Sequence, residues 1–146
     1  MRWQRTVVVF LCAVCCLTSV LRAEEKTYGD VAVSTVVDVH DGDTFRAMIA
    51  GWPPLVGDSI GVRIAGINTP EIRGTRGRER DLARKAQLFT QNRLQRAGTI
   101  TLRNLRRDKY FRILADVWVD SVSLGPELIR AGLAREYDGK GPKPRW

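Results

Sequence analysis

From Val31 to Val39 every second residue (Val31, Val33, Thr35, Val37 and Val39) is β-branched. Branching at Cβ stiffens the side chain and suits extended backbone. A period of two puts all five on one face, so this stretch commits the chain to a half-buried strand. His40-Asp41-Gly42-Asp43 then supplies a turn, with Gly42 free to take positive φ. Residues 44–49 read as the returning strand of a hairpin. Residues 50–58 hold Gly51, Pro53, Pro54 and Gly57 and read as a loop, with Trp52-Pro53-Pro54 packed onto the body. Residues 60–67 give a third strand.

Pro70, Gly74 and Gly77 keep residues 68–77 irregular. From Arg78 the period changes. Leu82, Ala86, Phe89 and Ala97 line one helical face with Ala83 and Leu94 beside them, while Arg80, Arg84, Gln87 and Gln91 line the other. This helix is expected to end near Gly98. Residues 99–105 and 112–119 are two further strands, the second carrying Trp118 into the barrel packing. Asp120-Ser121 is a tight turn, and Pro126 opens a short helix that Gly132 stops. Three strands, a helix, two strands and a helix predict an α+β domain built on a small antiparallel β-barrel. This is the five-stranded OB-fold, with a helix between strands 3 and 4 and a short C-terminal helix.

The domain does not fill the chain. Arg2 and Arg5, the apolar run 7–17 and the small residues before Glu24 read as a secretory signal over residues 1–23, too short to span a bilayer as a helix. The expected division is a signal at 1–23, a folded domain at 24–138 and a tail at 139–146 that Trp146 pins. Cys12, Cys15 and Cys16 all lie in the signal. An exported mature chain then has no disulfide and no thiolate metal site, whether secreted or periplasmic, and is expected to be a monomer free of the membrane. The signal removes three of 24 Lys/Arg and no acid, which leaves 21 against 16, or +5. Charge is concentrated: residues 73–112 hold 13 Lys/Arg against Glu79, Asp81 and Asp108. Such a field draws polyanions and raises their encounter rate.

Four features carry chemistry. Asp41-Gly42-Asp43-Thr44 sets two carboxylates around a glycine, as a hard cation wants or as a plain hairpin turn uses. Arg63 stands in mid-strand between Gly61 and Ala65, and an arginine there needs an anion, whether a phosphate or an internal carboxylate. Asn68-Thr69-Pro70-Glu71 follows that strand and holds Glu71 in a fixed loop. Asp108-Lys109-Tyr110-Phe111-Arg112 offers a fork-shaped anion ligand, a point charge and a phenol. Together they match the needs of phosphodiester hydrolysis: neutralised phosphate, a base for water and cations facing developing charge. His40, the only histidine, is set aside as a base because nothing else of a histidine-based site accompanies it.

The order DGDT, an arginine five residues before NTPE, a helix and then DKYFR resembles the staphylococcal nuclease (thermonuclease) family over residues 33–137. The resemblance implies Asp43, Asn68 and the Thr69 carbonyl as Ca²⁺ ligands and Glu71 as base or positioner of the attacking water. It implies Arg63 and Arg112 as the phosphate clamp, and Lys109 and Tyr110 as contacts to a neighbouring phosphate. The substrate it implies is DNA or RNA, with single strands preferred and little sequence preference. Two positions depart from the family pattern. Asn68 stands where Asp is usual, which removes a charge from the cation site and weakens it. Phe111 stands where Gly is common, and is either a constraint on Arg112 or a platform for a base. A non-catalytic nucleic-acid-binding module of the same family is the rival reading. A barrel that binds oligosaccharide or protein is a third, and it predicts no salt-dependent affinity for DNA.

Overall fold

The structure, a computed structural model, describes residues 25–146. The signal expected at 1–23 lies outside the described residues. Among the described residues no helix is long and apolar enough to cross a membrane.

The first strand is broken. β1 (Val31–Ala32) pairs antiparallel with β6 (Ile100–Arg107), whereas β2 (Thr35–Asp41) pairs with β3 (Thr44–Met48). Between them the Val33 amide donates to Ile100 O at 2.9 Å and the Ser34 amide to Met48 O at 2.9 Å, so the chain changes partners within one residue. The sheet runs β1-β6-β7-β4-β3-β2, with β4 (Ile60–Ile64) and β7 (Arg112–Val119) at its middle. Because β2 continues β1, the sheet closes on itself, and five strand positions form the curled barrel of an OB-like α+β domain.

Two expectations change here. The five alternating residues do not share one face: irregularities after Val36 and Val39 turn Val36 inward and leave Val37 exposed. Bulges of this kind bend a strand, as barrel closure requires. The sheet is also mixed rather than wholly antiparallel, because β4 pairs with β7 in parallel. The connection between them holds α2 (Gly77–Gln95) and β6, long enough for the crossover that parallel pairing needs.

The third strand stops at Ile64. Gly66, at φ 75, turns the chain, and β5 (Ile67–Asn68) starts a separate ladder with β9 (Arg135–Glu136). Inside the loop after β3 lies one helical turn, α1 (Pro54–Gly57), and Trp52 packs against the core as expected. Asp120 (φ 47) and Ser121 (φ 67) form the tight turn from β7 to β8 (Val122–Ser123), both positive as a two-residue hairpin loop prefers. α3 (Leu124–Arg130) begins two residues before Pro126. Trp118 is not barrel packing: it lies on the outer face of β7 beneath the Arg103 guanidinium, 4.2 Å from the ring centre. The core is Phe45, Val62, Ile64, Leu102, Val117 and Val119 from the strands, with Leu94, Leu124 and Leu128 from the helices.

α2 positions the turn at Gly42. Its fully buried face is Ala83, Ala86 and Leu94, as expected, together with Thr90, while Phe89 and Ala97 pack at its edge and Leu82 is only half-buried. Small residues there let the helix close on the hairpin. The Thr90 hydroxyl donates to Gly42 O at 2.6 Å, and the Gln87 amide donates to Val39 O at 2.9 Å and His40 O at 3.1 Å. Gly42 is needed for space, not for positive φ: a Cβ there would lie 2.6 Å from Ala86 Cβ and 2.9 Å from Thr69 Cγ2.

Candidate functional site

Asp43 is 2 % exposed in the turn immediately before β3. Its Oδ1 accepts from Arg63 Nη1 at 2.8 Å and from the Thr44 hydroxyl at 3.0 Å, and its Oδ2 accepts from the Thr69 amide at 2.8 Å. The Thr44↔Arg63 register of β3 and β4 makes this meeting possible. On β4 the apolar residues Ile60, Val62 and Ile64 face inward, which leaves Gly61 and Arg63 on the outer side. Arg63 Nη2 reaches on to Ile67 O and Asn68 Oδ1, both at 3.3 Å. Burial pushes the Asp43 carboxyl above its ordinary value, against the opposing pull of the Arg63 guanidinium and the Thr69 amide.

Asn68 and Thr69 are buried on the same wall, with the Asn68 amide donating to Thr69 O at 3.1 Å. Among the described residues the Thr69 hydroxyl is buried without a hydrogen-bond partner, a cost unless something polar meets it. Asp43, Asn68 Oδ1, Thr69 O and this orphan hydroxyl form an all-oxygen donor set of the kind a hard cation such as Ca²⁺ takes. The set carries one formal negative charge, already matched by Arg63. Among the described residues no three His, Cys, Asp or Glu side chains cluster as a metal site. The residues therefore fit Ca²⁺ in donor chemistry and are poor in charge, as Asn68 implies.

Arg112 opens β7 opposite Gly61 in the parallel register, so both arginines emerge from one face of adjacent strands, one pleat apart. Asp108 holds Arg112: its Oδ2 accepts from Nε at 2.7 Å and lies 2.5 Å from Nη2. The bare Cα of Gly61 gives room over Arg112 rather than over Arg63, since a Cβ there would lie 2.8 Å from Arg112 Cγ. Lys109 and Tyr110 stand exposed at the hairpin tip, with the Lys109 ammonium 5.3 Å and the Arg112 guanidinium 5.2 Å from the Tyr110 ring centre.

Glu71 is half exposed on the loop beyond buried Pro70. The next amide, Ile72 N, approaches Asp41 Oδ1 at 3.5 Å. Glu71 pairs with the Lys143 ammonium from the C-terminal segment. That segment is tied down elsewhere, by the Tyr137 hydroxyl on Gly141 O at 3.0 Å and by Arg135 over Trp146 at 4.9 Å. Asp43, Arg63, Asn68 and Thr69 thus form one bonded cluster, Arg112 stands beside it on the sheet, and Glu71 is held from the tail. Sequence reasoning missed Asp108 and Lys143 as supporting residues, and set Gly61 beside Arg63 where it makes room for Arg112. Only Asp108 leaves a local signal, four positions before the arginine it holds.

The model of the staphylococcal nuclease homologue family matches residues 61–145. A probable endonuclease of Pyricularia oryzae is 33% identical, covering 72% of this chain and 48% of its own length. A probable endonuclease of Schizosaccharomyces pombe is 31% identical, covering 71% of this chain and 55% of its own. The chain spans about half the length of these curated relatives. With the match running from β4 through the Arg112 strand to the tail, the chain belongs to the staphylococcal nuclease homologue family.

Proposed function

We propose that this chain is an exported nuclease that hydrolyses phosphodiester bonds of DNA or RNA with the help of one Ca²⁺. The observation that carries the reading is the pair Arg63 and Arg112 on one sheet face beside the buried oxygen cluster of Asp43, Asn68 and Thr69. Two guanidinium forks bind two non-bridging phosphate oxygens and face the charge that grows on them during attack. Glu71, freed from Lys143, orients a water and takes its proton as the water oxygen bonds to phosphorus and the ester oxygen leaves. Asp43, Asn68 and Thr69 O are the residues that would hold Ca²⁺. Bound there, the ion would supply neutralisation of the phosphate and a lowered pKa for its water. Export is supported by the apolar run after Arg5. The basic stretch 73–112 supports a polyanionic substrate.

A second reading has its own observation. The Asp43–Arg63 ion pair and the neutral Asn68 amide leave no surplus negative charge for a cation, which favours a domain that grips phosphate without cutting it. Digestion of single-stranded DNA and RNA in millimolar Ca²⁺, against the same reaction in excess chelator, separates the two. Cleavage that vanishes with chelator supports the enzyme. Salt-sensitive binding with no cleavage at any calcium level replaces it with the binding module.

A further inference from the structure

The tip of the β6–β7 hairpin is built at odds with folding. Phe111 sits at φ 53, in the left-handed region where a bulky side chain is strained and a glycine is not. Its ring is 71% exposed and has no place in the core, and the neighbouring Tyr110 is 66% exposed. The turn itself is fixed by other atoms: the Asp108 amide donates to Arg112 O at 3.0 Å, and Asp108 Oδ1 accepts from the Lys109 amide at 2.8 Å. Among the described residues the Phe111 side chain is no part of the hydrophobic core. A backbone outlier with an outward ring is a feature to be explained by what it meets.

What lies beside it is chemically specific. Lys109 and Arg112 flank the same tip, and Arg112 is the guanidinium that faces the proposed phosphate position. The ring those two cations touch is Tyr110, and Phe111 stands between Tyr110 and Arg112 in the chain, so an outward apolar ring one residue from the phosphate-binding guanidinium matches an unpaired nucleobase attached to the gripped phosphate. Every base has a π-face, so such a platform serves any sequence. In a duplex those faces are covered by stacking. Resting on the phosphodiester reading above, we infer that Phe111 is a stacking platform for an unpaired base, and that it sets this site's preference for single strands.

The test is equilibrium binding by the purified protein in excess chelator, where cleavage is silenced. The probes are a short single-stranded oligonucleotide carrying 2-aminopurine, an abasic strand of equal length, and vesicles containing phosphatidylserine. Wild type is expected to quench the 2-aminopurine and to bind the base-bearing strand about tenfold tighter than the abasic one, in line with the ~1–3 kcal/mol of a stacked base. Phe111→Gly is expected to lose the quench and bind both strands at the abasic affinity, while its midpoint of thermal unfolding rises because the strain is relieved. Phe111→Trp is expected to keep the preference. The inference is overturned if Phe111→Gly binds the base-bearing strand as wild type does. Equal, salt-sensitive binding of both strands by wild type also overturns it and leaves the phosphodiester reading standing. No binding of either strand removes both. Loss of vesicle binding alone in Phe111→Gly would make the tip a membrane contact and overturn the inference as well.

Discussion

Arg63→Ala tests whether the centre of the site is held by the ion pair. Asp43 is 2% and Arg63 17% exposed, with 2.8 Å between Oδ1 and Nη1. Removing one partner of a buried pair costs about 3–5 kcal/mol, because the other charge is left in a poor solvent. Here Asp43 keeps the Thr69 amide and the Thr44 hydroxyl, and Arg63's other two bonds are long at 3.3 Å. The lower end applies, about 3 kcal/mol. In urea titrations with chelator present, an m of about 1.5 kcal/mol/M puts the midpoint about 2 M below wild type with the slope unchanged. Adding Asp43→Asn to Arg63→Ala removes the stranded charge while keeping an acceptor for the Thr69 amide, so the double variant is expected to be more stable than the single one.

The same pair gives a pH signature. Burial raises the Asp43 carboxyl in the folded state, and Arg63 opposes that rise. Without Arg63 the folded value climbs further above the unfolded one. The penalty is therefore fully present above the raised folded value and is relieved as pH falls through it toward the unfolded one. The gap between wild type and Arg63→Ala narrows from pH 7 toward pH 4. A loss under about 1 kcal/mol at pH 7, constant down to pH 4, or a double variant less stable than Arg63→Ala, refutes the picture of a stranded buried carboxylate.

Glu71→Gln is expected to lower turnover about 10²–10⁴-fold in a digestion assay, while unfolding shifts by no more than about 0.5 kcal/mol because the group is half exposed. Gly61→Val puts a branched side chain against Arg112 Cγ and is expected to weaken oligonucleotide binding several-fold in a salt titration with the fold intact. Gly42→Ala meets Ala86 and Thr69 at under 3 Å and is expected to cost about 1–3 kcal/mol in thermal unfolding. Ca²⁺ measured by calorimetry is expected to bind weakly alone and at least about fivefold tighter beside a non-hydrolysable oligonucleotide, with the reciprocal gain for the oligonucleotide. Identical calcium affinities with and without the strand would contradict that coupling.

Elements with a local cause were legible in the sequence. The two-residue turn at Asp120-Ser121, the long helix and the order of strands follow from patterns that the chain satisfies with its near neighbours. The break at Val33–Ser34 was not, because it arises from closing the barrel and both partners are distant, at Ile100 and Met48. The helix face was read in the right place but not centred, for a related reason. Hydrophobic spacing finds Ala83, Ala86 and Leu94 but centres the face on Leu82 and Phe89, whereas the fit against Gly42 shifts it toward the small side and adds Thr90. At the site, residue types were legible and partners were not. Whether Arg63 answers a phosphate or an internal carboxylate depends on the β3–β4 register, and Lys143 reaches Glu71 only because the tail folds back.

The charge count joins these observations. One carboxylate, Asp43, faces one guanidinium, Arg63, with a neutral amide beside them where the family usually has a second carboxylate. A divalent cation added to that cluster would leave a surplus of two positive charges in a buried place, which low polarity penalises. On the proposed reading the substrate supplies one of the two missing negative charges. A phosphodiester brought against Arg63 and Arg112 gives Arg63 a second anion, lets it share its hold on Asp43 and releases carboxylate oxygen for the cation. Asn68 then changes when the site fills more than whether it fills: the resting pocket is neutral and closed by Arg63, and the strand is the component that opens it.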